Sequence, residues 1–125
     1  MKPKEPKVYL KHILQECDFL INNALNLSNE AFVNDPILQR AFVRSLEVIG
    51  EAVKNLPKEF RDKHPQIPWK SIAGMRDVLI HEYFGVDYEL VWKAVNESIP
   101  ALKREVENLL KEKQEKAPGE GAEGG

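Results

Sequence analysis

Apolar residues in this 125-residue chain recur at steps of three and four along most of its length. The first such stripe consists of Leu10, Leu14, Cys17, Ile21 and Ala24. Because an α-helix completes a turn in about 3.6 residues, this spacing places the apolar side chains on one face of a helix. No segment shows the strict alternation of apolar and polar residues that is typical of a half-buried strand, and no internal repeat is present. The pattern therefore predicts an all-helical protein.

Capping residues and prolines divide the chain into the expected helices. Ser28 is suited to cap a short helical turn, the pair Asp35-Pro36 marks the start of a long helix, and Asp87 caps a later one. The first two long helices are expected at about 7–26 and 36–56, followed by a connector over 57–68 with a helical turn around Phe60. The next helix is expected over Trp69–Phe84 and ends at Gly85. Two helices follow Asp87, and Pro100 starts or kinks the last one. Four or five helices joined by short links predict an antiparallel bundle.

Composition narrows the class of protein further. With 42% hydrophobic residues the chain has enough apolar surface for the core of one domain, which we expect over residues 1–113. Residues 114–125 lack apolar periodicity and are expected to form a disordered tail. The single cysteine, Cys17, excludes an intramolecular disulfide and fits a reducing compartment. No apolar run approaches the roughly 18 residues of a membrane span and no signal peptide is evident, so a cytoplasmic protein is expected.

The chain as a whole is slightly acidic, with a formal net charge of −2. A protein that coats nucleic acid without sequence preference is usually strongly basic, so the sequence does not indicate that class. The stretch 57–76 nevertheless has an excess of three positive charges, because Lys58, Arg61, Lys63, Lys70 and Arg76 stand against Glu59 and Asp62. Charge pattern alone favours a solvated connector surface. The other interpretation is local attraction of an anionic partner.

The segment from Arg76 to Tyr83 contains the side chains that are best suited to catalysis. On a helical wheel Arg76 falls in the middle of an apolar face formed by Trp69, Ile72, Leu79, Ile80 and Tyr83. An arginine in that position must reach water or an anionic partner with its guanidinium. One interpretation is therefore a structural arginine paired with Glu47 or Glu51, and the other is a functional arginine. Tyr83, taken singly, is a tyrosine at the edge of the core.

The opposite face of the same expected helix aligns Gly74, Asp77 and His81 with Lys70. A glycine inside a helix costs about 1 kcal/mol relative to alanine and often marks a close backbone approach. We therefore expect another helix, from this chain or from a second copy, to cross at Gly74. Taken singly, His81 is an ordinary surface histidine near the negative end of a helix. The three histidines lie far apart without metal-ligand spacing, so no metal site is expected.

Taken together, the side chains of this segment form a longer pattern, Gly74-Met75-Arg76-Asp77-Val78-Leu79-Ile80-His81-Glu82-Tyr83-Phe84. It resembles the Arg-x-x-x-x-His-x-Tyr motif of the HepT-like branch of the HEPN superfamily. The neighbouring strings resemble the same family: Leu46-Glu47-Val48-Ile49-Gly50-Glu51-Ala52, Lys54-Asn55-Leu56, Pro65-Gln66-Ile67-Pro68-Trp69, Phe84-Gly85-Val86-Asp87 and Val91-Trp92. The likeness covers about residues 8–112, and the extended string is far more specific than a bare Arg-x-x-x-x-His.

The resemblance implies the toxin half of a prokaryotic toxin–antitoxin pair. Its partner would be a minimal nucleotidyltransferase of the MNT type. Toxins of this family are metal-independent endoribonucleases that need no cofactor, cleave RNA and act as homodimers. The match implies that Arg76 and His81 are the catalytic pair, that Asp77 helps to set their geometry, and that the partner adenylylates Tyr83. The rival prediction is a non-catalytic helical module that binds the nucleotidyltransferase or a nucleotide.

A regular helix poses a geometric problem for this pair. Positions 76 and 81 are about 140° apart on a helical wheel, so one straight helix cannot direct both side chains at one phosphate. Three solutions are open. The helix loosens before Gly85, the long Arg76 side chain reaches around it, or the cleft combines groups from two chains.

Overall fold

The computed structural model of the chain describes residues 5–75, 77, 80–81 and 85–115, with residues 80, 81 and 113–115 described by their backbone alone. Two of the predicted site residues, Arg76 and Tyr83, lie outside the described residues. Residues 116–125, which make up most of the expected tail, lie outside them as well.

The described residues confirm an all-helical bundle. Its α-helices are α1 (Pro6–Ala24), α2 (Asn29–Val33), α3 (Pro36–Asn55), α4 (Lys58–Asp62), α5 (Trp69–Ala73), α6 (Tyr88–Lys93) and α7 (Ile99–Glu115), with a π-helical turn over Ala94–Ser98 and two short strands, β1 (Ile80–His81) and β2 (Gly85–Val86). Helix α1 packs against both α3 and α7, and α5 packs against α3. None of the helices in the described part of the chain is long and apolar enough to cross a membrane.

The core lies between the three long helices. The buried side chains of α1 are Leu10, Ile13, Cys17, Leu20 and Ala24. Those of α3 are Gln39, Phe42, Ser45, Leu46, Ile49, Gly50, Ala52 and Val53. Leu14 and Ile21, which belong to the predicted stripe of α1, are only half-buried. The core side of α1 is thus turned slightly, towards Ile13 and Leu20, as expected for a helix that packs between two neighbours.

Side-chain caps start the helices where the sequence predicts them. The Ser28 hydroxyl accepts a hydrogen bond from the Ala31 N–H at 3.0 Å, at the start of α2. The Asp35 carboxylate accepts from two backbone N–H groups at 3.1 Å, at the start of α3. The Asp87 carboxylate accepts from the Leu90 N–H at 3.2 Å, at the start of α6. These caps satisfy backbone donors that have no partner within the helix, so they fix the first turn of each one.

The helix predicted for 69–84 is wrong in its second half. Helix α5 ends at Ala73, Gly74 follows as its C-terminal cap, and Met75 and Asp77 are helical again. At Ile80–His81 the backbone is extended and pairs antiparallel with Gly85–Val86, a two-residue pairing that leaves the all-helical class of the fold unchanged.

Two local properties explain the change from helix to strand. Val78 and Ile80 are β-branched, and such side chains are less favoured in helices than in strands. Gly85 has a positive φ of 83°, a conformation that glycine adopts without strain and that suits a chain reversal. The periodic apolar pattern of this segment therefore does not form one continuous helix.

The π-helical turn before α7 occurs next to Pro100. Within this turn the Ile99 N–H donates to the Ala94 carbonyl, five residues earlier in the chain. Pro100 has no N–H to offer to the carbonyl four residues before it, so a regular ladder cannot continue there. The prediction that Pro100 starts or kinks the last helix agrees with this position.

Candidate active site

The segment that leads into the motif is anchored by its own connector. Trp69 at the start of α5 is 6% exposed, and its indole N–H donates to the His64 carbonyl at 3.0 Å. Ile67 is buried, and the rings of Phe60 and His64 lie 4.6 Å apart. These contacts fix the direction in which α5 approaches the motif. The helical turn expected around Phe60 is present as α4.

Helix α3 crosses α5 at Gly50. A Cβ atom built on Gly50 would lie 3.3 Å from the Ala73 carbonyl oxygen and 3.4 Å from that of Ile72. The 3.3 Å distance is tighter than most Cβ contacts in proteins, so a side chain at position 50 would push the α5 backbone away by a few tenths of an ångström, whereas glycine leaves it in place. The sequence interpretation missed this crossing, although a glycine in the middle of an amphipathic helix was its available signal.

The close approach was instead expected at Gly74. Among the described residues, a Cβ atom on Gly74 would meet only the Lys70 carbonyl oxygen, at 3.4 Å. No other helix within the described part of this chain crosses there. The crossing by a helix of the same chain is therefore at Gly50, whereas contact with a second copy at Gly74 stays a prediction.

Asp77 is the predicted supporting residue whose surroundings the structure describes. Its side chain is exposed, and its backbone N–H donates to the Gly74 carbonyl at 3.0 Å. It thus follows α5 after a short interruption and lies on the accessible surface. Its assigned role beside the catalytic pair stays a prediction.

The backbone of His81 lies in β1, opposite Gly85 of β2. Because His81 is in a strand, it does not share one helical face with Gly74 and Asp77, and that predicted alignment is wrong. A straight helix would place positions 76 and 81 about 140° apart. The extended backbone at His81 corresponds to the first of the three solutions to that problem, in which the helix loosens before Gly85. The geometry that relates Arg76, His81 and Tyr83 to one another lies outside the described residues.

The chain after the motif is anchored as firmly as the chain before it. Val86 packs against the core, and Val91 of α6 is fully buried. The ring of Phe32 stacks on that of Trp92 at 5.3 Å and meets that of Tyr88 edge-on at 6.3 Å. Aromatic pairs of this kind stabilise a fold beyond the burial of their area. The motif is therefore held between two fixed ends, α5 and α6.

A groove of about 620 Å³ opens beside α5 and Met75, and the sequence did not predict it. It lies between the chain around α5 and the run from α6 through the π-helical turn to α7. Apolar lining residues include Ile72, Met75 and Leu90. The charged lining residues are two cations and two anions, which balance each other: Lys93, Arg104, Glu97 and Glu105. Met75 immediately precedes Arg76 in sequence, so the groove borders the motif.

Other potentially reactive groups lie away from the motif. Burial, together with the neighbouring Asp18 carboxylate, raises the pKa of the Cys17 thiol to about 12. A thiol with that pKa is protonated near neutral pH and is a poor nucleophile. The Asp18 carboxylate also contacts the Lys103 ammonium at 2.8 Å and raises its pKa. Within the described part of the chain, no group of three or more His, Cys, Asp or Glu residues is placed to hold a metal ion.

Comparison with known proteins gives consistent matches. The family described as Ribonuclease HepT-like matches residues 13–109. A provisionally named RNase of Caldanaerobacter subterraneus subsp. tengcongensis is 60% identical over 111 residues, which cover 89% of this chain and 99% of the relative. A provisionally named RNase of Methanocaldococcus jannaschii is 48% identical over 112 residues, covering 90% and 93%. The probable ribonuclease HepT of Thermococcus cleftensis is 46% identical over 105 residues, covering 84% and 96%. No solved structure matches the chain significantly.

Proposed function

The chain belongs to the HepT-like family of HEPN ribonucleases, and on this premise we propose that it is an endoribonuclease with Arg76 and His81 as its catalytic pair. One observation carries the proposal. The matched region, residues 13–109, contains the complete Arg-x-x-x-x-His-x-Tyr string without a departure. The relatives matched over nearly their whole length carry RNase names, which agrees with this activity.

The chemistry we propose needs no metal ion. A base removes the proton of the RNA 2′-hydroxyl, and the 2′-oxygen attacks the adjacent phosphorus. The bond from phosphorus to the 5′-oxygen breaks, an acid protonates that oxygen, and the products are a 2′,3′-cyclic phosphate and a 5′-hydroxyl. Histidine suits both proton transfers because its pKa is nearest neutrality. The forked guanidinium of Arg76 would stabilise the extra negative charge on the phosphate oxygens in the transition state.

A homodimer would supply both protonation states at once. A single His81 cannot be base and acid in the same instant, whereas two copies in a shared cleft can hold one neutral and one protonated imidazole. The extended backbone at Ile80–His81 means that the 140° separation of a straight helix does not apply to His81. Asp77, exposed and directly after Arg76, would help to position that arginine.

We further propose that this ribonuclease is the toxin of a toxin–antitoxin pair. Its antitoxin would be an MNT-type nucleotidyltransferase that transfers AMP from ATP to the Tyr83 hydroxyl and releases pyrophosphate. Each added AMP brings a negatively charged phosphodiester and a nucleoside close to Arg76 in sequence. Such a group would compete with the RNA phosphate for the guanidinium and block access to His81.

A gel of RNA incubated with wild type and with His81→Ala tests the proposal. We expect RNA fragments after incubation with the wild-type protein and intact RNA after incubation with His81→Ala. Growth arrest on expression of the wild-type chain without its partner should follow the same pattern. If neither protein cleaves RNA, while the chain still binds the nucleotidyltransferase, the non-catalytic interaction module becomes the better description.

A further inference from the structure

Positive charge is concentrated in the connector between α3 and α5. Residues 57–70 contain four cations, Lys58, Arg61, Lys63 and Lys70, against the two anions Glu59 and Asp62, which leaves an excess of two. The whole chain has a net charge of −2, so the remainder of the chain carries −4. An acidic protein that binds RNA must attract it through a local patch of this kind.

The ion pairs of the connector leave several of its cations available. The Lys58 ammonium contacts the Asp62 carboxylate at 2.9 Å, so these two charges largely neutralise each other. Lys63 and Lys70 are exposed, and neither is in an ion pair among the described residues. The Arg61 side chain is half-buried and its Nε is fully buried, so Lys63 and Lys70 are the accessible unpaired cations of the described connector. Glu59 opposes this charge but does not cancel it.

The connector holds these cations on an ordered backbone. The Lys63 N–H donates to the Glu59 carbonyl at 3.2 Å, and the His64 N–H donates to the Arg61 carbonyl at 3.1 Å. The indole of Trp69 then fixes the His64 carbonyl at 3.0 Å. Binding therefore need not order the loop first, which lowers the entropic cost of association.

Lys70 places one end of this patch next to the motif. The Gly74 N–H donates to the Lys70 carbonyl, and the Asp77 N–H donates to the Gly74 carbonyl, each at 3.0 Å. These two hydrogen bonds connect Lys70 to Asp77 through Gly74, within seven residues of chain. Lys63 lies further from the motif, beyond Ile67 and the start of α5.

From this arrangement we propose that Lys63 and Lys70 form a basic strip that holds the RNA phosphate backbone beside the cleavage site. This proposal rests on the proposed ribonuclease function, and it adds where the RNA strand lies on the protein surface. The contacts of the strip are to phosphates, so they are independent of base sequence. A substrate that covers only the cleaved bond is too short to reach the strip, whereas a long single strand contacts it.

The test compares Lys63→Gln/Lys70→Gln with the matched control Lys7→Gln/Lys11→Gln, which removes two exposed lysines from α1. Binding is measured with a fluorescent 20-nucleotide RNA carrying 2′-O-methyl groups, which lack the attacking hydroxyl and stay intact. We expect the connector variant to lose affinity roughly tenfold at moderate salt. The slope of log affinity against log salt should become shallower by about 1.4, since each phosphate contact on a single strand contributes about 0.7. The control should match wild type in both quantities.

Cleavage of unmodified RNA separates the strip from the ribonuclease activity itself. If wild type cleaves RNA, we expect the connector variant to show a raised KM for a 20-mer and an unchanged KM for a dinucleotide, which covers only the cleaved bond. Equal affinities and salt slopes for the connector variant and the α1 control would overturn the strip, whatever wild type does to RNA. Absence of cleavage by wild type would overturn the proposed function instead, while the binding data would still decide about the strip.

Discussion

The Cα of Gly50 in α3 faces the main-chain carbonyl of Ala73 in α5 so closely that an added Cβ atom would lie 3.3 Å from its oxygen. Ala73 ends α5, three residues before Arg76. The contact therefore sets the position from which the chain enters the motif.

Gly50→Ala should destabilise the protein. The new methyl group presses on a backbone carbonyl whose helix is anchored by Trp69 and Ile72, and overpacking of this kind costs about 1–3 kcal/mol. Alanine recovers about 1 kcal/mol through its helix propensity, so we expect a net loss of about 1 kcal/mol in the free energy of unfolding, measured by urea denaturation. Gly74→Ala is the matched control within one chain, and it should be neutral or slightly stabilising unless a second copy packs against Gly74. A Gly50→Ala variant as stable as wild type would show that the crossing has room.

Removal of the cap of α6 should weaken the far anchor of the motif. The Asp87 carboxylate accepts from the Leu90 N–H at 3.2 Å, and loss of such a cap costs about 0.5–2 kcal/mol. Asp87→Ala should lower the free energy of unfolding by that amount. Asp87→Asn keeps a capping oxygen and should remain close to wild type. Equal losses in the two variants would assign the effect to the charge and not to the hydrogen bond.

The buried thiol of Cys17 should make stability fall with pH in alkaline solution. Its pKa is about 12 in the folded protein against 9.0 for an ordinary thiol, because burial disfavours the thiolate. Between these values the unfolded chain releases the proton and the folded chain keeps it, so the free energy of unfolding decreases as the pH rises. Cys17→Ala should lack this part of the decrease when the two proteins are compared from pH 8.5 to pH 10.5. Parallel curves would contradict the raised pKa.

Tyr83→Phe should separate RNA cleavage from its neutralisation by the nucleotidyltransferase. Phenylalanine keeps the aromatic ring of tyrosine but has no hydroxyl to receive AMP. We expect the variant to retain RNA cleavage and to resist neutralisation when the nucleotidyltransferase and ATP are supplied. Intact-mass spectrometry should show added AMP on wild type alone. Mass added equally to both proteins would remove Tyr83 from the switch, and Tyr9→Phe on α1 serves as the control for loss of a tyrosine elsewhere.

Features that depend on neighbours in sequence were predictable from sequence. The caps Ser28, Asp35 and Asp87 act on backbone groups two or three residues away, so the residue type and its position are sufficient to identify them. The buried stripe of α1 also follows from spacing alone, apart from the small rotation towards Ile13 and Leu20.

Features that depend on distant partners were not predictable in this way. The extended backbone of Ile80 is fixed by its pairing with Val86, and the apolar spacing of 69–84 gives no sign of that pairing. The closeness of α3 to α5 at Gly50 requires knowledge of which helix packs beside it. The roles of Arg76, His81 and Tyr83 come from the resemblance to a family, since each residue alone also fits an ordinary structural position.

Cleavage of an RNA oligonucleotide in the presence of EDTA, with identification of the product ends, tests the central proposal most directly. Wild type should yield 2′,3′-cyclic phosphate and 5′-hydroxyl ends, and Arg76→Ala and His81→Ala should each be slower by roughly a hundredfold or more. His12→Ala, which removes an exposed histidine of α1, should cleave at the wild-type rate, and circular dichroism should show all four proteins folded. Loss of wild-type activity in EDTA, or a folded His81→Ala protein that cleaves as fast as wild type, would contradict metal-independent catalysis by this pair.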